Sequence, residues 1–191
     1  MRLFVALPLP EPVKAAVAQV QRELKSAVRS AAVRWTPPEQ IHLTLRFLGD
    51  VAASVLPELE NALSRACRGV SPLELTACGA GAFPDDARPR VLWIGLSGQL
   101  DRLGSLQARI ENETAPWGQR EERDFHPHLT LARIKDARPV DVRPIAQALS
   151  RLHARHLSSW HVGEVELMRS ELTQYGAKHS TLITIPFRRD P

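Results

Sequence analysis

Two of the seven histidines in this chain introduce the same words: His42-Leu43-Thr44-Leu45 returns, 86 positions later, as His128-Leu129-Thr130-Leu131. Along a strand, side chains alternate between faces. Each copy therefore presents an imidazole and a hydroxyl on one side and two leucine anchors on the other. Two such units facing one cleft would supply a pair of imidazoles. With a reference pKa of about 6.5, such a pair can run general acid–base chemistry near neutrality, one ring accepting a proton and the other donating one. Thr44 and Thr130 cannot do that work, but their hydroxyls can donate to anionic oxygens. An oxygen-rich tetrahedral anion, a phosphodiester, suits the set, and the arrangement requires no metal.

Arginines near the two motifs break the symmetry. Arg46 stands four residues after His42 and shares its face if the strand runs on regularly; the matching position in the second copy is Ala132. Arg133 stands five residues after His128 and has the wrong parity, reaching the cleft only if the strand ends or twists. A guanidinium there would stabilise charge developing on a phosphate. His126 and His128 share a face with spacing that metal sites use, without an evident third ligand; we read His126 as a rim residue. His153 and His156 fall near a helix end, and His161 has no nameable partner. Trp35, Trp93 and Trp117 read as core or packing residues, with Phe83 a weak candidate for stacking on a base.

The elements that must position these groups are legible in outline. Residues 2–7 alternate as a strand. A helix over about 11–29 carries Val13, Val17, Val20 and Leu24 at helical spacing, with Pro12 in its first turn. The segment 34–40 is extended and turn-rich, and the first histidine strand covers 42–48. A second helix is expected over 54–68, capped by Ser54 and stopped by Gly69. Strands near 72–79 and 90–96 precede a helix whose stripe is Leu100, Leu103, Leu106 and Ile110. The second histidine strand covers 127–134, and a fourth helix over 141–154 buries Ile145, Leu149 and Leu152. Strands near 160–169 and 180–187 close the chain, with a bulge at Gly163 where the apolar parity changes. This order lacks regular βαβ alternation and a glycine-rich phosphate loop, so the expected class is α+β with antiparallel sheets.

Composition sets the outer limits. The chain has 191 residues, with 43% hydrophobic and 24% charged, enough for one domain of two lobes. The net charge is +4, and 21 of the 25 basic residues are arginine. That balance suits an anionic substrate without demanding one. The N-terminal apolar run is broken by Pro8, Pro10 and Glu11, which argues against a signal peptide or a membrane span; the expectation is a cytoplasmic monomer. Cys67 and Cys78 form no metal or redox motif and read as buried free thiols.

The stretches "RWTPPEQIHLTLRFLGDV" (34–51), "FHPHLTLAR" (125–133) and "LMRSELTQYGA" (167–177) resemble the 2H phosphoesterases, in particular the LigT-like RNA 2′,3′-cyclic phosphodiesterases, historically called 2′–5′ RNA ligases. The resemblance runs along essentially the whole chain, 1–191, as a single bilobal domain. It implies an α+β LigT-like fold of two antiparallel sheets, helices on the outer faces, pseudo-two-fold symmetry and a site between the lobes. It also implies hydrolysis of an RNA or nucleotide 2′,3′-cyclic phosphate end to a 2′-phosphomonoester, without cofactor or metal, and reverse 2′–5′ ligation as a side activity. Carried over, His42 is the proton donor, His128 the proton acceptor, and Thr44 and Thr130 hold phosphate oxygens; the second motif favours Arg133 over Arg46. The family's usual tyrosine three residues after the C-terminal glycine is replaced here by His179. Two other readings remain open: a non-catalytic module gripping RNA ends, and a metallohydrolase built on His126 and His128.

Overall fold

A computed structural model describes residues 1–28, 33–119, 123–135, 139–174 and 176–187, with the side chains of 139–142 and 176 outside the description. Its elements run β1 (Arg2–Leu7), α1 (Glu11–Ala27), β2 (Val33–Trp35), β3 (Leu43–Asp50), α2 (Leu56–Cys67), β4 (Leu73–Phe83), β5 (Val91–Gly98), α3 (Leu100–Glu113), β6 (His128–Ile134), α4 (Pro139–Ser150), β7 (His156–Val162), β8 (Glu164–Thr173) and β9 (Gly176–Pro186). Every strand pairing is antiparallel. The order is β7-β4-β5-β6-β3-β1-β8-β9, with β2 added beside β6.

The two expected sheets are two wings, one of five strands (β7, β4, β5, β6 and β2) and one of four (β3, β1, β8 and β9), touching at one residue pair, Leu43 with Leu129, where β3 meets β6. Helices α1 and α4 pack together behind the β6 wing, and α2 and α3 together behind the β3 wing. Their apolar stripes bury against the strand leucines: Val17, Val20 and Leu24 from α1 and Leu103, Leu106 and Ile110 from α3 are 2% exposed or less. These two stripes stand at the same separation of 86 as the histidine motifs. The repeat therefore extends well beyond the four quoted residues.

Several expectations change in detail. Arg29, the expected end of α1, lies outside the described residues. Ser54 does not cap α2; it sits in a 3-10 turn, Ala53–Val55, and the helix starts at Leu56 without a side-chain cap. Leu152 is buried as expected, but in the turn after α4. The segment before the first motif is not only extended: Val33–Trp35 pairs with β6, and Pro38–Gln40 forms a 3-10 turn.

Gly163 is the largest correction. It is no bulge within one strand but the step between β7, which pairs with β4, and β8, which pairs with β1 and β9. The change of apolar parity there marks a chain crossing from one wing to the other.

Candidate active site

The pairing of Leu43 with Leu129 sets the site. Both leucines are fully buried, so His42, Thr44, His128 and Thr130 share the opposite face of the sheet. In this antiparallel register His42 lies across from Thr130 and His128 across from Thr44. All four are half-buried. The structure thus brings the four motif residues together where the wings meet.

Both histidines are mounted identically. His42 Nδ1 is 2.8 Å from the carbonyl of Gln40, and His128 Nδ1 is 2.7 Å from the carbonyl of His126. A carbonyl only accepts, so Nδ1 carries the hydrogen in each ring and donates it two residues back. Nε2 is then the nitrogen left for chemistry on both sides. Gln40 has a second role: its side-chain Oε1 accepts the His179 backbone N–H at 2.6 Å, tying β9 to the entry of β3.

The surroundings of the rings differ. His42 packs on Phe4 at 4.7 Å between centroids and meets the edge of His179 at 5.0 Å. His179 also meets Phe4 edge-on at 4.9 Å. Burial pushes the His42 imidazolium down to about 4; the positive charge His179 would carry adds to this, and the Gln40 carbonyl opposes it. His128 meets the edge of Phe83 at 5.0 Å. Its pKa is lowered as well, first by burial, with Arg133 and His126 adding and the His126 carbonyl opposing. Burial lowers His179 too. In the free protein at neutral pH all three rings are neutral, the state a base needs and the opposite of what an acid needs.

The arginines are sorted by a feature that appears twice. Thr44 pairs with Ala6 and Arg46 with Val5, leaving Leu45 unpaired; Thr130 pairs with Trp93 and Ala132 with Leu92, leaving Leu131 unpaired. Each is a bulge at the last residue of its motif, and a bulge inverts the alternation beyond it. Arg46 is accordingly turned to the helix side. It is 5% exposed, donates to the Glu111 carbonyl, lies 3.5 Å from the Glu111 carboxylate and reaches the Trp117 carbonyl at 3.4 Å. The expectation that Arg46 shares the histidine face is corrected, because it assumed an unbroken strand. Arg133 gains by the same inversion and is exposed on the His128 side. Its counterpart in the first wing is Phe47, exposed and touching Phe4.

A glutamine reaches the carbonyl at each bulge, joining the Thr36 backbone N–H that the Leu131 carbonyl also accepts at 2.9 Å. Gln21 on α1 donates to the Leu131 carbonyl at 3.0 Å and to the Thr36 carbonyl at 2.6 Å. Gln107 on α3 donates to the Leu45 carbonyl at 3.4 Å. Gln21 and Gln107 are also 86 positions apart, so motif, bulge and bracing amide repeat together. The first reading missed both amides; the available signal was a glutamine inside each apolar helix stripe.

Trp93 is not a core residue. It lies across from Thr130 on the site face, and its ring covers Gly81 and Gly95, where an added Cβ would approach it to 2.5 Å and 3.3 Å. Phe83 stacks beside it at 5.2 Å, and His126 lies 6.4 Å beyond Phe83. Trp35 packs against the core, with the Lys25 ammonium 5.4 Å from its ring. His126 is exposed as a rim residue would be, and among the described residues no group of three His, Cys, Asp or Glu is placed to hold a metal. Cys67 is buried and Cys78 half-buried, both as free thiols. No described helix is long and apolar enough to cross a membrane.

Comparison with known proteins returns the same internal division. The family model described as "LigT like Phosphoesterase" matches twice, at residues 7–93 and 94–178. An RNA 2′,3′-cyclic phosphodiesterase of Methanothermobacter thermautotrophicus is 38% identical over 92% of this chain and 93% of its own length. One of Thermus thermophilus is 34% identical over 95% and 88%. Among solved structures, a Thermus thermophilus protein superposes with a TM-score of 0.78 at 30% identity, covering 100% of both chains. E. coli LigT complexed with 3′-AMP gives 0.71 at 26% identity, covering 97% of both.

Proposed function

The chain belongs to the LigT-like phosphoesterase family, and from that premise we propose that it hydrolyses the 2′,3′-cyclic phosphate at the end of an RNA, giving a 2′-phosphomonoester. The observation that carries this reading is the matched mounting of His42 and His128, each with Nδ1 on a main-chain carbonyl and Nε2 free. His128 Nε2 takes a proton from water as the water oxygen bonds to phosphorus. The bond from phosphorus to O3′ breaks, and His42 Nε2 gives its proton to that oxygen. Thr44 and Thr130 donate to the non-bridging oxygens, and Arg133 neutralises charge gathering on them. With an RNA 5′-hydroxyl attacking in place of water, the same steps run in the same direction make a 2′–5′ linkage.

The low pKa of His42 fits this role once substrate is present. An anionic phosphate within a few ångströms favours the charged imidazolium and raises its pKa, so the acid is loaded by the molecule it will protonate.

The test is incubation with an oligoribonucleotide ending in 2′,3′-cyclic phosphate, in EDTA, with the product isomer resolved by chromatography. A 2′-phosphate is expected, and His42→Ala and His128→Ala should each lose about 10²–10⁴ in kcat, the usual worth of a general acid or base. A 3′-phosphate would reverse the assigned leaving oxygen. Turnover restored only by added zinc or manganese would move the reaction to a metal held by His126 and His128, and binding without turnover would make the groove a recognition site.

A further inference from the structure

Beyond the terminal phosphate, β2 adds a feature that the reaction does not use. It lies along β6 with Val33 across from Ile134, Arg34 from Arg133 and Trp35 from Ala132. Val33 and Ile134 are buried, while Arg34 and Arg133 are exposed. Arg34 therefore lies on the same sheet face as Arg133, which the bulge at Leu131 has turned to the His128 and Thr130 side. Directly opposed residues have Cβ atoms about 5 Å apart, and like charges so placed repel. Neither guanidinium has an acidic partner among the described residues. Lys135 follows, exposed, at the end of β6, and Arg90 from the neighbouring loop donates to its carbonyl at 2.5 Å. Arg133 on β6, Arg34 beside it on β2 and Lys135 just past the end of β6 thus carry positive charge away from Thr130 over roughly 15 Å, at about 3.3 Å per residue. A cyclic mononucleotide, with a single phosphate, cannot fill that length. A polynucleotide can.

We propose that Arg34 and Lys135 form a binding track for the internal phosphodiesters of a single-stranded RNA whose cyclic end lies between His42 and His128. The proposal rests on the reading of the site given above and adds to it the residues that hold the RNA chain behind its cyclic end. Arg133 stands at the junction, serving the reacting phosphate, and the other two cations meet the phosphates that precede it. Repulsion between Arg34 and Arg133 in the empty protein is relieved when a polyanion lies between them.

The experiment compares adenosine 2′,3′-cyclic phosphate with an oligoadenylate ending in the same group, for the unaltered protein and for Arg34→Gln, Lys135→Gln and the double variant. Both positions are exposed, so the fold is retained. The double variant is expected to hydrolyse the mononucleotide at the unaltered rate and to lose about tenfold in kcat/KM on the oligonucleotide through KM. The slope of log(kcat/KM) against log salt should fall by about 0.7 for each phosphate contact removed. Equal losses on both substrates, or none on the oligonucleotide, would overturn the track. Binding of a 3′-phosphorylated oligoadenylate, followed by fluorescence anisotropy, needs no turnover. If neither substrate were hydrolysed, the catalytic reading would fail, while a salt-dependent loss of binding in the variants would still sustain the track and its absence would end it.

Discussion

At the residue scale, the decisive group is His42, because burial makes it neutral when its role requires a proton. A general acid acts only in its protonated fraction, which declines as pH rises through its pKa. In the free protein that value is about 4, and kcat/KM reports the free protein. The descending limb of kcat/KM is therefore expected well below pH 6.5, and that of kcat at higher pH, since bound phosphate raises the same group. Coincident limbs would mean that substrate does not load the acid. His179 refines the expectation. Its charge lowers the His42 pKa, so His179→Phe, which keeps the apolar contact, should move the kcat/KM limb upward. An unchanged limb would reduce His179 to a packing residue. With the two rings 5.0 Å apart, the limbs belong to the pair rather than to either ring.

At the element scale, the bulges at Leu45 and Leu131 decide which side chains enter the groove. Gln21 is 1% exposed and braces the second bulge through two carbonyls. Gln21→Leu should cost about 1 kcal/mol in denaturant unfolding, the net worth of a hydrogen bond, since the Leu131 carbonyl keeps the Thr36 N–H. It should also lower kcat/KM, because Arg133 loses its fixed direction. The diagnostic is a double-mutant cycle: in an Arg133→Ala background, Gln21→Leu should lower kcat/KM no further. Additive losses would mean that Gln21 affects activity by a route other than Arg133, and no loss in either background would mean that it acts on stability alone. Gln107→Leu should matter less, since its bond is long and the side chain it helps direct is Phe47. This is also where the sequence was hardest to read. The period-two pattern made the sharing of a face by His42 and Thr44, and by His128 and Thr130, legible at once. It then misplaced Arg46 and left Arg133 with the wrong parity, because Leu131-Ala132 looks like ordinary strand and nothing local announces the extra residue. The announcement is distant: a glutamine in the apolar stripe of each bracing helix.

At the scale of the whole molecule, the repeat is interlocked. The first copy runs β1-α1-β3-α2-β4 and the second β5-α3-β6-α4, reaching β8 by way of β7. Yet β4 pairs with β5, and β8 pairs with β1. Each wing thus contains two strands of the other copy, β2 and β4 in one and β8 and β9 in the other, and the chain crosses between wings at Gly163, where local periodicity shows only a change of parity within one strand. Neither copy can complete a wing without the other, so calorimetric unfolding is expected as one transition with equal calorimetric and van't Hoff enthalpies; two transitions would mean independent wings. The same cooperativity makes a local proton a global matter. His42 titrates near 6.5 when unfolded and at about 4 when folded, so below 6.5 the unfolded chain binds the extra proton. Its share of the stability is complete above pH 6.5 and is lost as pH falls toward 4, by about 3 kcal/mol at pH 4. His42→Gln removes that proton from the balance. Stability measured by urea from pH 7 to pH 4 should fall less steeply in the variant, and parallel curves would show that burial of His42 is not what couples its chemistry to the fold.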